Sequence, residues 1–314
     1  MAKTIGVVLS ERISAGLVID NRIERELCCF PEDAGDQSAL VELHTDGLVN
    51  VICDQVLRAR RDHQDITAIG VSVPGLVRNG VVEEAPNLPQ LKGARMGEML
   101  TIALRREGIE VPVNIVNDAD GIAAGLAATH GKLDSMIRVW TLGIGIGFGR
   151  YPFAQGVWEG GHTCVTLDDK ETFCGCGGRG HIEGIMGHRA MRLRFLDLEP
   201  DEVFAAARQR PAGPETERCL KFVHLWHKAL AAGIANSIHM SGAGKFYLTG
   251  FNVGFVELPM LKEYLHQMIK MSPLQAYTLE IIQDSPEVRI IGAAVTAEQS
   301  ITYARKKAIL ASAQ

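Results

Sequence analysis

The sequence predicts an α/β fold with mixed sheets, because strand-like and helix-like segments alternate along the chain. Two β-branched segments about a tight turn, Thr4–Leu9 and Ile13–Ile19, predict a hairpin at the start. A second predicted hairpin, about a glycine-rich turn, begins near Ile137. Because each hairpin opens a stretch of alternating strands and helices, we expect two similar lobes that face a central cleft, where such folds bind ligands.

The other elements follow from hydrophobic periodicity and capping residues. Helices are predicted at 37–61, 93–106, 118–131, 216–240 and 292–312, and further strands at 66–75, 111–116 and 245–250. The lobe boundary is predicted near Asp118. It gives an N-terminal lobe of residues 1–117, joined by the C-terminal helix 292–314, and a C-terminal lobe of residues 118–291 that contains the loop 162–181.

Composition limits the classes of function. The 314 residues are 46% hydrophobic and 22% charged, so the chain has enough apolar material for a sizeable core. The formal net charge of -5 argues against a broad phosphate-binding face, and we expect no nucleic acid partner. The first residues lack the apolar core of a signal peptide and no long apolar run occurs, so a cytoplasmic protein without membrane attachment is expected.

The seven cysteines form no regular pairing framework, and reduced thiols are expected. Four residues have the spacing H-x11-C-x-C-x4-H: His162, Cys174, Cys176 and His181. Two thiolates and two imidazoles are the donors of a structural tetrahedral zinc site, and the interleaved glycines let the backbone curl around one point. The alternative is a flexible glycine-rich loop that contains these residues incidentally.

Several segments resemble the ROK family of repressors, open reading frames and sugar kinases. The family elements G-E-x-G-H and C-x-C-G-x-x-G-C-x-E are similar to WEGGH (158–162) and CGCGGRGHIE (174–183), with His181 in place of the family's last zinc cysteine. GVSVPGLV (70–77), APNLP (85–89) and VNDADGIAAG (116–125) resemble three further family elements. The resemblance implies a two-lobed, actin-like and ribonuclease H-like sugar kinase fold.

The resemblance also implies roles for individual residues. Asp118 matches the family aspartate that removes the proton from a sugar hydroxyl as it attacks the γ-phosphate of ATP, which is held with Mg²⁺. Residues that match or line the sugar site are Gly75, Asn87, Asn117, Glu159, His162 and Glu183. The structural alternatives are a helix N-cap for Asp118 and solvated surface carboxylates for Glu159 and Glu183.

The donor elements depart from the family pattern. Where the family has D-x-G-G-T, this chain has Val7 at the aspartate, Leu9 and Ser10 at the glycines and Glu11 at the threonine, and a glutamate there repels a triphosphate. The second loop keeps the glycines expected to bind nucleotide, namely Gly143, Gly145 and Gly147, but has Ile144 in place of threonine. The third element reads TGFN, in which Gly250 remains.

These features favour a glucokinase-like ROK sugar kinase that phosphorylates a hexose or an N-acetylhexosamine from ATP. One alternative is a non-catalytic sugar sensor with a degenerate phosphate loop, and another is a kinase with a donor other than ATP. The resemblance further implies a homodimer, for which Trp140, Trp158 or the face around Trp226 is either a subunit contact or core.

Overall fold

The computed structural model describes residues 2–33, 39–153, 159–209 and 213–312. The chain divides into two compact units. Unit 1 comprises Met1–Ile137, Gly149–Val157 and Ser285–Gln314, and unit 2 comprises Arg138–Phe148 and Trp158–Asp284. The predicted α/β class with mixed sheets is confirmed. No helix within the described residues has both the length and the apolar character needed to cross a membrane.

Strands and helices are numbered in chain order. The described strands are β1 Lys3–Leu9, β2 Ile13–Ile19, β3 Arg22–Ile23, β4 Cys28–Phe30, β5 Ala68–Val73, β6 Leu76–Arg78, β7 Val81–Glu84, β8 Val113–Asn117, β9 Ile137–Leu142, β10 Ile146–Tyr151, β11 Lys245–Thr249 and β12 Thr278–Ile281. The described helices are α1 Thr45–Arg60, α2 Met96–Arg106, α3 Asp118–Thr129, α4 Ile182–Met186, α5 His188–Arg194, α6 Pro200–Ala206, α7 Pro214–Ser241, α8 Leu258–Met268 and α9 Pro286–Ser312.

The sheet of unit 1 has the strand order β3-β2-β1-β5-β8, with β4 paired to β2. β1 and β2 are antiparallel, which confirms the predicted first hairpin, whereas β1, β5 and β8 are parallel. Every residue of β5 is buried, as is typical of a central parallel strand. β8 ends at Asn117 and α3 begins at Asp118, so both residues lie at the carboxyl end of a parallel strand, where α/β sheets bind ligands.

A second sheet has the order β10-β9-β11-β12. It packs on α7 through a large apolar core that contains Trp140, Phe246 and Trp226, none of them more than 1% exposed. Burial in this core decides between the two alternatives for Trp140 and Trp226, which are core residues. Trp158 lies outside the described residues.

The first long helix is shorter than predicted. α1 begins at Thr45 rather than near residue 37, and residues 34–38 lie outside the described part. Leu40 is buried in the core, and its carbonyl accepts a hydrogen bond from the side-chain amide of Gln90 at 2.8 Å. These tertiary contacts hold the segment before Thr45 in turns and override its helix-forming residues.

The last helix begins earlier than predicted, at Pro286 instead of Gly292. Proline suits the first helical position, because its missing N–H has no partner there in any case. Gly292 lies inside α9 where it crosses α3: a Cβ added there would be 1.7 Å from the carbonyl oxygen of Gly121. Because α3 packs so closely on α9, α3 is part of unit 1, which extends to Ile137 and not only to the predicted boundary at Asp118.

A short hairpin was not predicted. β6 and β7 pair antiparallel about Asn79 and Gly80, whose φ angles of 51° and 77° are those of a type I′ turn. The sequence Asn-Gly between apolar residues is the signal that identifies such a turn. This hairpin follows Gly75 directly and therefore shapes one predicted part of the site.

Candidate functional site

Asn117 caps α3 and ties it to the loop after β5. Its Oδ1 accepts hydrogen bonds from the backbone N–H groups of Ala119 at 2.9 Å and Asp120 at 3.4 Å. Its Nδ2 donates to the carbonyl of Gly75, 2.7 Å away. The helix-capping role that the sequence allowed for Asp118 therefore belongs to Asn117.

Asp118 is the first residue of α3 and is partly buried. Its Oδ1 accepts a hydrogen bond from the N–H of Ala119 at 2.9 Å. Burial raises the pKa of this carboxyl above its ordinary value, and the positive charge of Arg289 in the first turn of α9 is the main opposing influence. A carboxylate with raised proton affinity at the end of a parallel strand is suited to accept a proton from a bound ligand.

Gly75 contacts the Asn117–Asp118 junction, whereas Asn87 is not bonded to it within the described residues. Gly75 has a φ of 100°, and an added Cβ would lie 2.1 Å from the carbonyl oxygen of Glu84, so only glycine fits. Its carbonyl is the acceptor for Asn117. Asn87 is exposed in the turn before Pro89, and within the described residues its side chain has no hydrogen bond to Asn117 or Asp118.

The four predicted metal ligands come together in unit 2. The ligand atoms of His162, Cys174, Cys176 and His181 all lie within 4.8 Å of one another. The two sulfur atoms are 3.4 Å apart. The Nδ1 of His162 lies 3.4 Å from the sulfur of Cys174, and the Nδ1 of His181 lies 3.3 Å from that of Cys176. These spacings fall within the edges of about 3.3–3.8 Å of a tetrahedron with metal–ligand bonds of about 2.0–2.3 Å, so the donor set fits a metal ion.

The local sequence lets this loop close. Gly177 and Gly180 have φ angles of 80° and 66°, and a Cβ on Gly180 would lie 2.0 Å from the carbonyl oxygen of Thr166. Backbone hydrogen bonds from Val165 to Gly180 and from Ile182 to Thr163 then join the two ends of the loop. Burial and the neighbouring Cys176 thiol raise the pKa of Cys174 to about 12, so a metal ion that binds here has to displace the thiol proton.

Three predicted sugar-site residues lie at the cluster: His162 belongs to it, and Glu159 and Glu183 lie beside it. His162 presents Nδ1 to Cys174, and its Nε2 lies 3.7 Å from the Oε2 of Glu159, which is exposed. Glu183 is in the first turn of α4, and its Oε1 lies 3.6 Å from the sulfur of Cys174. The structure thus brings Glu159, His162 and Glu183 together around one metal-binding loop, which favours a shared role over isolated surface carboxylates.

The glycine turn, Gly143–Gly147, comprises the connection between β9 and β10 and the first two residues of β10, and it is bonded to Glu183. The Oε2 of Glu183 accepts the backbone N–H of Ile146 at 3.0 Å. Gly145 leaves the space for this carboxylate, since an added Cβ would lie 2.5 Å from Oε2. Gly147 donates its N–H to the hydroxyl of Thr141 at 3.1 Å. One N–H of the predicted phosphate loop is therefore already paired with a negative charge.

Two side chains that sequence reasoning missed fix the other end of the glycine turn. Asn252 is 1% exposed; its Nδ2 donates to the carbonyl of Gly143 at 3.1 Å, and its Oδ1 lies 3.2 Å from the Nδ1 of His188. The backbone N–H of His188 also donates to Gly143, at 3.0 Å. Gly250, two residues before Asn252, has a φ of 99° and packs on β9 with no room for a side chain. The TGFN element thus contacts the glycine turn, and only the retained Gly250 pointed to it.

The turn of the first hairpin differs from a glycine loop. Ser10 and Glu11 are exposed, and the N–H of Ser10 donates to the carbonyl of Arg12 at 3.0 Å. The guanidinium of Arg12 donates to the carbonyls of Pro31 and Glu32. The guanidinium of Arg12 is therefore hydrogen-bonded to main-chain carbonyls, and the exposed charge at the tip of the turn is the negative charge of Glu11.

Comparison with known families agrees with this geometry. The sequence profile described as "ROK family" matches residues 39–299. The chain belongs to the ROK family. The match includes the Asn117–Asp118 junction, the metal-binding loop and the glycine turn, which are the parts of the structure described above.

Among similar proteins of known activity, this ROK protein is 29% identical over 188 residues to a glucokinase of Pyrobaculum calidifontis, an alignment that spans 54% of this chain and 58% of the glucokinase. It is 27% identical over 239 residues to an N-acetylmannosamine kinase of Haemophilus influenzae, across 72% of this chain and 75% of that kinase. A solved ROK hexokinase of Thermus thermophilus superposes with a TM-score of 0.75 at 23% identity, over 96% of this chain and 99% of the hexokinase, and shares its fold.

Substitution of Asp118 by asparagine tests the electrostatic state of the site. Because the pKa of Asp118 is raised in the folded state, its contribution to stability is present below its unfolded-state pKa and is lost as the pH rises through the folded-state pKa. Asparagine keeps the acceptor for Ala119. Asp118→Asn is therefore expected to be at least as stable as wild type at neutral pH, and its relative stability should decline as the pH falls toward about 4.

Urea unfolding at several pH values measures this difference, with Asp134→Asn as the control because Asp134 is an exposed carboxylate in the loop after α3. A lower free energy of unfolding for Asp118→Asn than for the control at neutral pH would contradict the expected cost of the ionised carboxylate.

Proposed function

We propose that this protein is a ROK sugar kinase that transfers the γ-phosphoryl group of ATP to a hydroxyl of a hexose or N-acetylhexosamine, with Asp118 as general base. Family membership and the kinase relatives support a sugar hydroxyl as acceptor. The proposal rests on Asp118. Asn117 caps α3 in its place, and burial raises the pKa of the Asp118 carboxyl. Its carboxylate takes the hydroxyl proton as the oxygen attacks phosphorus and ADP leaves.

We propose that Glu159, His162 and Glu183 bind the hydroxyls of that sugar. The gap of 3.7 Å between His162 Nε2 and Glu159 Oε2 is bridged when a hydroxyl donates to one and accepts from the other. A carboxylate has about four lone-pair sites, so Glu183 can hold the N–H of Ile146 and accept from a sugar as well. Gly75, Asn87 and Asn117 of unit 1 are proposed as further sugar-binding residues.

We propose zinc as the metal of the cluster, with a structural role. Two thiolates and two imidazoles complete a tetrahedron, which leaves no exchangeable position and is the usual arrangement of structural zinc. When bound, the metal supplies a cross-link and neutralises the thiolates. With Nδ1 given to the metal, His162 would keep Nε2 free to hydrogen-bond a neighbouring carboxylate or a bound sugar.

The donor in this proposal is ATP with Mg²⁺, whose phosphates lie along Gly143, Gly145, Gly147 and Gly250. A second function is favoured by the same region. Ile144 and Phe251 are 55% and 63% exposed beside the glycine turn, and the N–H of Ile146 is paired with Glu183. A turn with apolar side chains and one N–H already paired suits a sugar-binding sensor without catalysis, which is the alternative function.

Sugar-dependent release of ADP separates the two functions. We expect turnover with at least one of glucose, mannose, allose, N-acetylglucosamine and N-acetylmannosamine. Asp118→Asn should lower kcat by about 10²–10⁴-fold, the usual contribution of a general base, and should still bind the sugar. Asp134→Asn should match wild type. Absence of turnover with every sugar, together with a sugar-dependent rise in Tm, would reject the kinase in favour of the sensor.

Elemental analysis tests the metal. We expect about one zinc per chain in wild type and much less in Cys176→Ala, which removes one of four ligands. Cys164→Ala is the matched control, because Cys164 is exposed in the same loop, donates to the carbonyl of Thr166 at 3.1 Å and is outside the ligand set. Cys176→Ala should also weaken sugar binding, whereas Cys164→Ala should not. Equal metal content in the two variants would refute the assigned ligands.

A further inference from the structure

A cavity of about 760 Å³ lies in unit 2 beside the glycine turn. Its walls are formed by Ile144 of the turn, by α5 and by the segment that leads into α6. The charged side chains that line it are Arg189, Arg192, Asp197, Glu199 and Glu202. Nothing in the proposed sugar and donor sites uses these residues.

The backbone of Arg189 is fixed to the glycine turn. Its N–H donates to the carbonyl of Ile144 at 3.4 Å, next to the bond from His188 to Gly143 at 3.0 Å. Its side chain lines the cavity and also comes close to the metal-binding loop: Nη1 lies 3.2 Å from the position of a Cβ on Gly175, the residue between Cys174 and Cys176. Arg189 therefore extends from the glycine turn to the metal-binding loop.

Most charges around the cavity are already paired. Arg192 pairs with Glu199 at 3.1 Å, and Asp197 pairs with Arg218 at 2.7 Å. Glu202 accepts the backbone N–H of Glu199 at 2.8 Å in the capping box of α6. Arg189 is exposed, and within the described part of the chain its guanidinium has no carboxylate partner and no hydrogen bond. It is the arginine of this cavity that remains available to an anion.

We propose that Arg189 binds a phosphoryl group, on the donor or on the phosphorylated sugar, in this cavity. A guanidinium presents a planar fork of N–H donors that matches phosphate oxygens. The glycine turn beside it has one N–H paired with Glu183 and the exposed apolar side chain of Ile144, so the turn itself supplies no cation. This inference rests on the proposed sugar kinase.

The test is direct binding by calorimetry, with three probes that distinguish the sources of phosphate: tripolyphosphate, the Mg²⁺ complex of a nonhydrolysable ATP analogue, and glucose 6-phosphate. Arg189→Met should raise the Kd of at least one probe by roughly tenfold or more, the effect of losing one charge-assisted contact. Arg189→Lys should be intermediate, because an ammonium keeps the charge but not the fork. Arg208→Met is the matched control and should stay close to wild type, because Arg208 is an exposed arginine of unit 2 that pairs with Glu257 at 2.9 Å and lies outside the cavity lining.

Binding by each variant of the sugar that wild type takes from the panel above shows that the folded sugar site is intact. Failure of all three probes to bind wild type, or equal affinities of wild type and Arg189→Met, would overturn the assignment. Binding that depends on Arg189 without any sugar phosphorylation would keep this site and reject the kinase. Sugar phosphorylation by wild type, together with probe affinities that Arg189→Met leaves unchanged, would keep the kinase and reject this site.

Discussion

In unit 2, two cysteine sulfurs lie 3.4 Å apart, each beside the Nδ1 of a histidine, in a loop with no helix or longer strand between His162 and Ile182. Such a loop buries little apolar surface, and ordering its glycines is costly in conformational entropy. The proposed metal would offset that cost by joining four residues, His162, Cys174, Cys176 and His181, at one point. We expect the positions of His162, Glu159 and Glu183 to depend on this cross-link, because all three lie in the loop or directly at its ends.

Glu183 extends the effect of the cluster to the glycine turn. One of its oxygens lies 3.6 Å from the sulfur of Cys174, and the other accepts the N–H of Ile146. His188 and Asn252 hold the opposite end of the turn at Gly143. The geometry of the glycine turn is thus set by Glu183 of α4, by the backbone of His188 in α5 and by Asn252 of the TGFN element. A shift of the metal loop is expected to shift the glycine turn as well.

The parts of the fold and site that depend on local patterns could be predicted from the sequence. The first hairpin follows from two β-branched runs, and the metal cluster from four residues whose spacing suits one ion. The start of α1 could not be predicted, because a contact with the distant Gln90 decides it. The role of Gly292 could not be predicted either, because it depends on the packing of α9 on α3. No sequence motif identifies Asn252 or Arg189. Their importance comes from contacts with the glycine turn, which only the folded chain brings about.

Hydrogen exchange at the amide of Ile146 tests most directly whether the metal loop sets the geometry of the glycine turn. Exchange is compared between metal-loaded protein and protein treated with a chelator, with the amides of β11 as an internal check against global unfolding. We expect removal of the metal to free Glu183 and to accelerate exchange at Ile146, while β11 remains protected. Equal protection of Ile146 with and without metal would contradict the dependence of the turn on the metal-binding loop.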